Sequence, residues 1–222
     1  MTRMQKEMQE RISREQLDQA FDARFPEEMR TKLRNARVAV AGLGGLGSNI
    51  AVMLARSGVG ELLLVDFDTV DVTNLNRQMY LIPQLGKPKA EALPEILYQI
   101  NPYLTYRSVC IKVTPDNVKE LFSDYPIVCE AFDKPDVKAM LTEQILCYYP
   151  EKTLICGSGM AGYGSSNTIK TRKINDHFYI CGDGVSGAMP GRGLMAPRVT
   201  ICAAHEANMV LRCVLGLDVD EI

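Results

Sequence analysis

Short apolar runs alternate with amphipathic segments along most of the chain. The runs are too short for helices and rich in valine, leucine and isoleucine, so they predict buried strands. Apolar positions spaced three and four apart predict helices between them. The predicted strands are residues 37–42, 61–68, 105–113, 125–132 and 153–159. The predicted helices are residues 45–58, 89–101, 136–149 and 196–216, with one more that opens at Thr114 and Pro115.

The pattern changes after residue 159, where residues 166–174 and 177–181 predict an antiparallel pair with a turn at Asn175–Asp176. The prediction is therefore an α/β, Rossmann-like fold. Its sheet is mostly parallel and twisted, with helices on both faces and a short antiparallel extension. Residues 1–35 predict a charged helical lead-in with a capping box at Ser13 and Gln16. Residues 36–222 then form one domain.

Composition narrows the function classes. The chain has 25 Lys+Arg against 27 Asp+Glu, a net charge of 25 − 27 = −2, so bulk charge does not favour nucleic-acid binding. No apolar run reaches the roughly 18 residues of a membrane span, and the charged N-terminus does not resemble a secretory signal. We therefore expect a cytoplasmic protein with no membrane partner. Its seven cysteines include no C-x-x-C pair, so no structural zinc is expected.

A glycine-rich loop joins the first predicted strand to the first helix. Gly42, Gly44, Gly45 and Gly47 permit a tight turn and close approach to a phosphate, which the helix N-terminus favours. Asp66 follows the core of the second strand, where a carboxylate can accept ribose hydroxyls. The arrangement predicts a nucleotide site. The alternative is a tight strand–helix turn that binds nothing.

The residues after the second strand are unusually polar. Cations and amides that converge on a helix start suit a triphosphate better than a dinucleotide, whose pyrophosphate is met mainly by backbone groups. For the arginine of this set, a surface salt bridge is the alternative interpretation. The polar candidates are Asp68, Asn74, Arg77, Gln78 and Lys89.

The order of these motifs resembles the ThiF/MoeB/HesA family, the ubiquitin-activating-enzyme-like adenylyltransferases. GLGGLG, DFD, NLNRQ and GKPK are followed by Asp133 after the fourth strand. The resemblance runs from Arg24 to Asp133, and less tightly through residues 161–164 and 193–199. The short chain is similar to the compact "family two" group of thiamine biosynthesis.

The resemblance implies specific roles, with ATP and Mg²⁺ as cofactors. Asp66 would hold the ribose, and Asp133 would bind Mg²⁺ unless it only caps the strand end. Arg24 would reach the γ-phosphate of a neighbouring subunit, which requires a homodimer. The implied phosphate and nucleotide contacts are Gly42, Gly44, Gly45, Gly47, Asp68, Asn74, Arg77, Gln78 and Lys89. The implied catalytic set is Arg77, Lys89, Asp133 and Arg24.

The implied reaction is adenylation of the C-terminal carboxylate of a small β-grasp sulfur-carrier protein that ends in Gly-Gly. That carboxylate is ionised at pH 7, so no general base is needed. One alternative is a relative that activates a tRNA-linked carboxylate, such as a threonylcarbamoyladenosine dehydratase. Another is an NAD-dependent oxidoreductase using the same loop. Cys181 is the candidate if any thiol accepts the activated carrier, and residues 182–196 are a candidate cover for the carrier's tail.

Overall fold

A computed structural model describes residues 3–219, with side chains from Lys6 onward. Its sheet has seven strands in the order β3-β2-β1-β4-β5-β7-β6. Parallel pairing runs from β3 to β7, and only β6 pairs antiparallel. The strands are β1 (Arg37–Ala41), β2 (Glu61–Val65), β3 (Thr105–Val109), β4 (Ile127–Glu130), β5 (Thr153–Gly157), β6 (Lys170–Asn175) and β7 (Phe178–Gly182). This arrangement confirms the predicted fold class.

Eight α-helices are described within residues 3–219. Three precede the sheet, and the others connect or follow its strands. They are α1 (Arg3–Arg11), α2 (Arg14–Asp22), α3 (Glu27–Asn35), α4 (Gly45–Arg56), α5 (Lys89–Ile100), α6 (Pro115–Phe122), α7 (Pro135–Tyr148) and α8 (Ala196–Leu215). Residues 1–2 and 220–222, which belong to the predicted lead-in and domain, lie outside the described residues.

Several predicted strands were too long at their carboxyl ends. The second strand ends at Val65, and the side chain of the next residue, Asp66, accepts backbone N–H groups of the adjoining loops. The antiparallel turn was misplaced by one residue. Asn175 still belongs to β6, and its side-chain oxygen accepts the His177 N–H at 2.9 Å. The polar residues that were counted as strand therefore form the loops of the sheet's carboxyl edge.

Two apolar cores cover the sheet, one on each face. Alternating β1 side chains face opposite sides, with Val38 and Val40 toward α4 and α8, and Ala39 and Ala41 toward α6 and α7. Because both faces are buried, the central strands read as continuous apolar runs. The helix N-terminus of α4 is thereby fixed beside the carboxyl end of β1.

The N-terminal helices lie at the opposite end of the sheet from that edge. The predicted capping box is confirmed, since Ser13 and Gln16 exchange side-chain and backbone hydrogen bonds. The carbonyl of Leu33, at the end of α3, accepts the Gly60 N–H at 3.0 Å just before β2. Among the described helices, none is both long enough and apolar enough to span a membrane.

Candidate active site

The glycine loop closes tightly over the carboxyl end of β1. Gly42 has φ +92°, and a Cβ there would lie 2.8 Å from the Ala131 carbonyl oxygen. A Cβ on Gly47 would lie 1.8 Å from the Gly42 carbonyl oxygen. Both positions therefore exclude a side chain. The turn brings the free N–H groups at the start of α4 to the carboxyl edge, where they favour an anion.

Asp66 fixes the shape of this loop. Its carboxylate accepts the Leu43 N–H at 2.6 Å and the Asp68 N–H at 2.8 Å. Burial raises the pKa of Asp66, although these N–H groups and the nearby Lys89 oppose that shift. The structure brings Asp66 into direct contact with the loop. The ribose contact remains a prediction.

Arg77 and Gln78 lie over the loop. The Arg77 Cγ is 3.5 Å from the position of a Cβ on Gly45, and the Gln78 amide nitrogen is 3.8 Å from the equivalent position on Gly44. The Arg77 Nη1 donates to the Thr73 carbonyl at 2.9 Å. The Arg77 Nε and the Gln78 Oε1 are buried without a hydrogen-bond partner among residues 3–219.

Such buried polar atoms are costly unless a ligand or water satisfies them. A guanidinium above a helix N-terminus is suited to a phosphate. The alternative interpretation of Arg77 as a surface salt bridge finds no support, because its described side-chain bonds go to a carbonyl and an amide.

Asn74 has a local role in the turn that carries Arg77. Its side-chain oxygen accepts the Asp71 N–H at 3.1 Å, which caps a short 3-10 helix (Val72–Asn74). The family resemblance implies that Asn74 contacts the phosphates, and that contact stays a prediction. Asn49 was missed, although its amide donates to the Gly45 and Arg77 carbonyls at 2.7 and 3.1 Å. A polar residue at a buried position of a mostly apolar helix was the available signal.

Lys89 lies at the start of α5, where its ammonium group is 3.0 Å from the Asp68 carboxylate. The Lys89 side chain is 7% exposed, whereas that of Asp68 is 51% exposed. Asp68 therefore orients a nearly buried cation next to Asp66. This pair confirms that the polar segment after β2 and the GKPK segment meet in space.

Asp133 follows β4 at the same edge. The preceding turn is held at Phe132, whose N–H donates to Glu130 at 2.7 Å and whose carbonyl accepts Lys138 at 3.1 Å. Asp133 itself is exposed. The described residues contain no group of three or more His, Cys, Asp or Glu that could hold a metal. A single carboxylate suits Mg²⁺, which takes one or two carboxylates, substrate phosphates and water.

Two sequence candidates are not available to act at the loop of their own chain. Arg24 is exposed between α2 and α3, and its neighbour Phe25 lines a cleft with Arg56 and Gly58 at the far end of α4. α4 has 12 residues and spans about 18 Å, so Arg24 is not brought to the loop of its own chain. Cys181 is fully buried, and burial raises the pKa of its thiol well above the usual range. It is therefore not an accessible nucleophile.

A buried ion pair braces the glycine-rich segment beside the site, and the sequence analysis missed it. Arg198 Nη2 lies 2.6 Å from the Asp183 carboxylate, and both side chains are under 10% exposed. Burial alone would raise the pKa of Asp183, but Ser186, Val185 and Arg198 outweigh it and lower that pKa to about 2. The segment is further held by bonds from Met160 and Ala161 to the Ser186 carbonyl.

The strand order and the loop geometry define a nucleotide-binding α/β protein. A family model described as the ThiF family matches residues 17–222. The chain belongs to the ThiF family and is an adenylyltransferase, which confirms the resemblance inferred from its motifs.

Similar proteins agree on this class. The chain is 33% identical to the molybdopterin-synthase adenylyltransferase of Salmonella typhimurium over 193 residues, which is 85% of this chain and 76% of that protein. It is 42% identical over 113 residues to the adenylyltransferase and sulfurtransferase uba4 of Aspergillus clavatus. That match covers half of this chain but only 23% of the relative.

Among solved structures, the E. coli tRNA N6-threonylcarbamoyladenosine dehydratase in complex with ATP is similar, with a TM-score of 0.79 and 28% identity. The match covers 89% of this chain and 93% of that one. The same protein in complex with AMP has a TM-score of 0.80 and 26% identity.

Proposed function

We propose that this enzyme adenylates the C-terminal carboxylate of a small β-grasp sulfur-carrier protein that ends in Gly-Gly, with thiamine biosynthesis as the pathway. The observation that carries the proposal is the buried, unsatisfied donor Arg77 Nε above a glycine loop. ATP is the substrate nucleotide. Residues 36–222 form the ATP-binding domain, and residues 1–35 form the lead-in.

The reaction joins the carrier carboxylate to the α-phosphorus of ATP. One carboxylate oxygen forms the new P–O bond, and the bond from the α-phosphorus to the bridging oxygen breaks. Pyrophosphate leaves with that electron pair. The chain must hold the two groups in line and neutralise charge on the α-phosphate and the leaving group. Arg77 and Lys89 carry that charge in the proposal, with the N–H groups of the glycine loop.

Asp133 would hold Mg²⁺, which supplies charge neutralisation at the phosphates when bound. The fit rests on the exposed carboxylate and on the Glu130–Lys138 pair, 2.7 Å apart, that fixes the turn before it. Asp66 would position the ribose, and Asn74 and Gln78 would contact the phosphates.

The carrier would dock on the exposed apolar side chains of the segments after β5 and β7. Large apolar side chains that are exposed near a site suit a protein contact. Those in these two segments are Tyr163, Val185, Met189 and Met195, which are 86%, 84%, 59% and 47% exposed. Residues 182–196 supply three of these four side chains. This segment would therefore cover the tail of the bound carrier.

Arg24 completes the site only if a second copy provides it. Because Arg24 lies at the far end of α4 from its own loop, the proposed role requires a homodimer in which each lead-in reaches the partner's nucleotide. Sedimentation that shows only monomers at assay concentrations would remove this role.

A second candidate follows from the structural likeness to the tRNA threonylcarbamoyladenosine dehydratase. The same phosphate site would then activate a tRNA-linked carboxylate. The net charge of −2 offers no basic field for tRNA, so the protein carrier is favoured. NAD-dependent hydride transfer is disfavoured by the ThiF family match and by the cations above the loop.

ATP–pyrophosphate exchange tests the proposal, with a Gly-Gly carrier and a modified tRNA as separate substrates. We expect exchange stimulated by the carrier, and a loss of roughly a thousandfold or more in Arg77→Ala, by analogy with cations in phosphoryl transfer. Arg107→Ala is the matched control, because Arg107 is an exposed arginine on the edge strand β3, where it pairs with Glu61 of β2. Exchange stimulated by the tRNA alone would overturn the carrier proposal.

A further inference from the structure

Asn49 is a buried polar residue on α4 that no motif of the sequence accounts for. It is 4% exposed on a helix whose other buried side chains are mostly apolar. Its amide nitrogen donates to the Gly45 carbonyl at 2.7 Å and to the Arg77 carbonyl at 3.1 Å. Its amide oxygen accepts the Thr200 hydroxyl at 3.2 Å.

These three bonds join three elements. Gly45 is the first residue of α4, Arg77 lies in the loop after β2, and Thr200 lies in the first turns of α8. Arg77 is thus tied through its backbone to the helix end over which its side chain extends. The next helix residue toward the loop, Ser48, braces Met79 instead, by accepting its N–H at 3.2 Å.

We propose that Asn49 is a positioning residue for Arg77, acting through the hydrogen bond to the Arg77 carbonyl and supported by Thr200. The inference rests on the proposed function only in that Arg77 contacts a nucleotide phosphate. It does not depend on which carboxylate is activated.

The chemistry of the amide explains why asparagine suits this position. Its two N–H donors meet two carbonyls, and its oxygen meets a hydroxyl, so one side chain satisfies all three groups. An aspartate would set a carboxylate against the Gly45 and Arg77 carbonyls. An alanine would leave both carbonyls without this donor and would free the segment that carries Arg77.

Nucleotide discrimination distinguishes positioning from general stability. Binding of ATP and of adenosine is measured by calorimetry on the full chain for the wild type and Asn49→Ala. Adenosine has no phosphate, so a displaced Arg77 should weaken ATP binding about tenfold, the size of one lost hydrogen bond, and leave adenosine binding unchanged. Ser57→Ala is the matched control, because Ser57 makes its hydrogen bond at the far end of the same helix.

An Arg77→Ala background completes the test. If Asn49 acts through Arg77, adding Asn49→Ala to Arg77→Ala should weaken ATP binding no further. A further tenfold loss in the double variant, or equal weakening of ATP and adenosine in Asn49→Ala, would overturn the proposal. Carrier adenylation is not involved, so failure here is distinguishable from failure of the proposed function.

Thr200 provides a second variant should Asn49→Ala not fold. Thr200→Val keeps the side-chain shape and removes only the hydroxyl, whereas Thr200→Ser keeps the hydroxyl. We expect Thr200→Val to weaken the binding of ATP but not of adenosine, and Thr200→Ser to bind ATP as the wild type does. Identical ATP binding by the wild type and Thr200→Val would contradict the support assigned to Thr200.

Discussion

Glu206 makes the stability of this protein dependent on pH in a direction that can be worked out from its surroundings. The side chain is fully buried on α8, and its Oε2 has no hydrogen-bond partner among the described residues. Its Oε1 would lie only 2.6 Å from a Cβ on Gly157, so the glycine of β5 makes room for it. Burial raises the pKa of Glu206 well above its usual range, Lys138 opposes that shift, and Glu130 adds to it.

Because the pKa of Glu206 is raised in the folded state, the free energy of unfolding should fall as pH rises. A carboxyl group whose pKa is higher in the folded state contributes stability fully below the unfolded pKa of about 4.3, and loses it as pH rises toward the folded value. Between the unfolded and the folded pKa, each pH unit lowers the free energy of unfolding by about 1.4 kcal/mol. Glutamine does not titrate. The free energy of unfolding of Glu206→Gln, minus that of the wild type, should therefore rise with pH by up to about 1.4 kcal/mol per unit.

Urea unfolding followed by circular dichroism at half-unit steps upward from pH 5 measures this difference. The test is how the difference in the free energy of unfolding changes with pH, and not its size at any one pH. The glutamine amide adds a hydrogen-bond donor that can shift stability equally at every pH. Glu143→Gln, at an exposed position on α7, is the matched control. If the difference in the free energy of unfolding between Glu206→Gln and the wild type stays constant across the whole pH range, Glu206 does not have a raised pKa in the folded state.

Other consequences of the structure can be measured with simple variants. Gly47→Ala should abolish stable folding or nucleotide binding because its Cβ would overlap the Gly42 carbonyl, whereas Gly187→Ala has open space and should leave the melting temperature unchanged. Lys138→Met should cost about 3–5 kcal/mol in urea unfolding because it leaves Glu130 buried without its cation; a loss below 1 kcal/mol would contradict the ion pair. Iodoacetamide applied to the native protein should label the exposed Cys110 and spare Cys181, as read by peptide mass spectrometry; rapid labelling of Cys181 would contradict its burial.

The sequence predicted the sheet and its nucleotide edge because those features are local. Valine-rich runs, glycines at the turn and the acid at Asp66 each leave a signal within a few residues. The carboxyl ends of strands were harder, because the local apolar pattern does not show where a strand gives way to a loop. Asp66 follows the apolar run directly, yet its side chain already accepts N–H groups of the loops.

The missed features join residues far apart in the chain. Asn49 and Thr200 are 151 residues apart, and Asp183 and Arg198 meet only after β7 and α8 have packed. No spacing rule in the sequence pairs them. Cys181 was a reasonable candidate from its glycine-rich surroundings, but it is fully buried, with Thr171 on the neighbouring strand against its sulfur.

Intact-mass spectrometry can observe the proposed acyl-adenylate on the carrier itself. Purified enzyme, ATP and Mg²⁺ are mixed with a Gly-Gly sulfur carrier and quenched in acid. We expect the carrier to gain the mass of one adenylyl group with the wild-type enzyme. No gain is expected with Arg77→Ala, or with a carrier that lacks its last glycine. A carrier that stays unmodified with the wild-type enzyme, while ATP is bound, would show that this protein does not adenylate it.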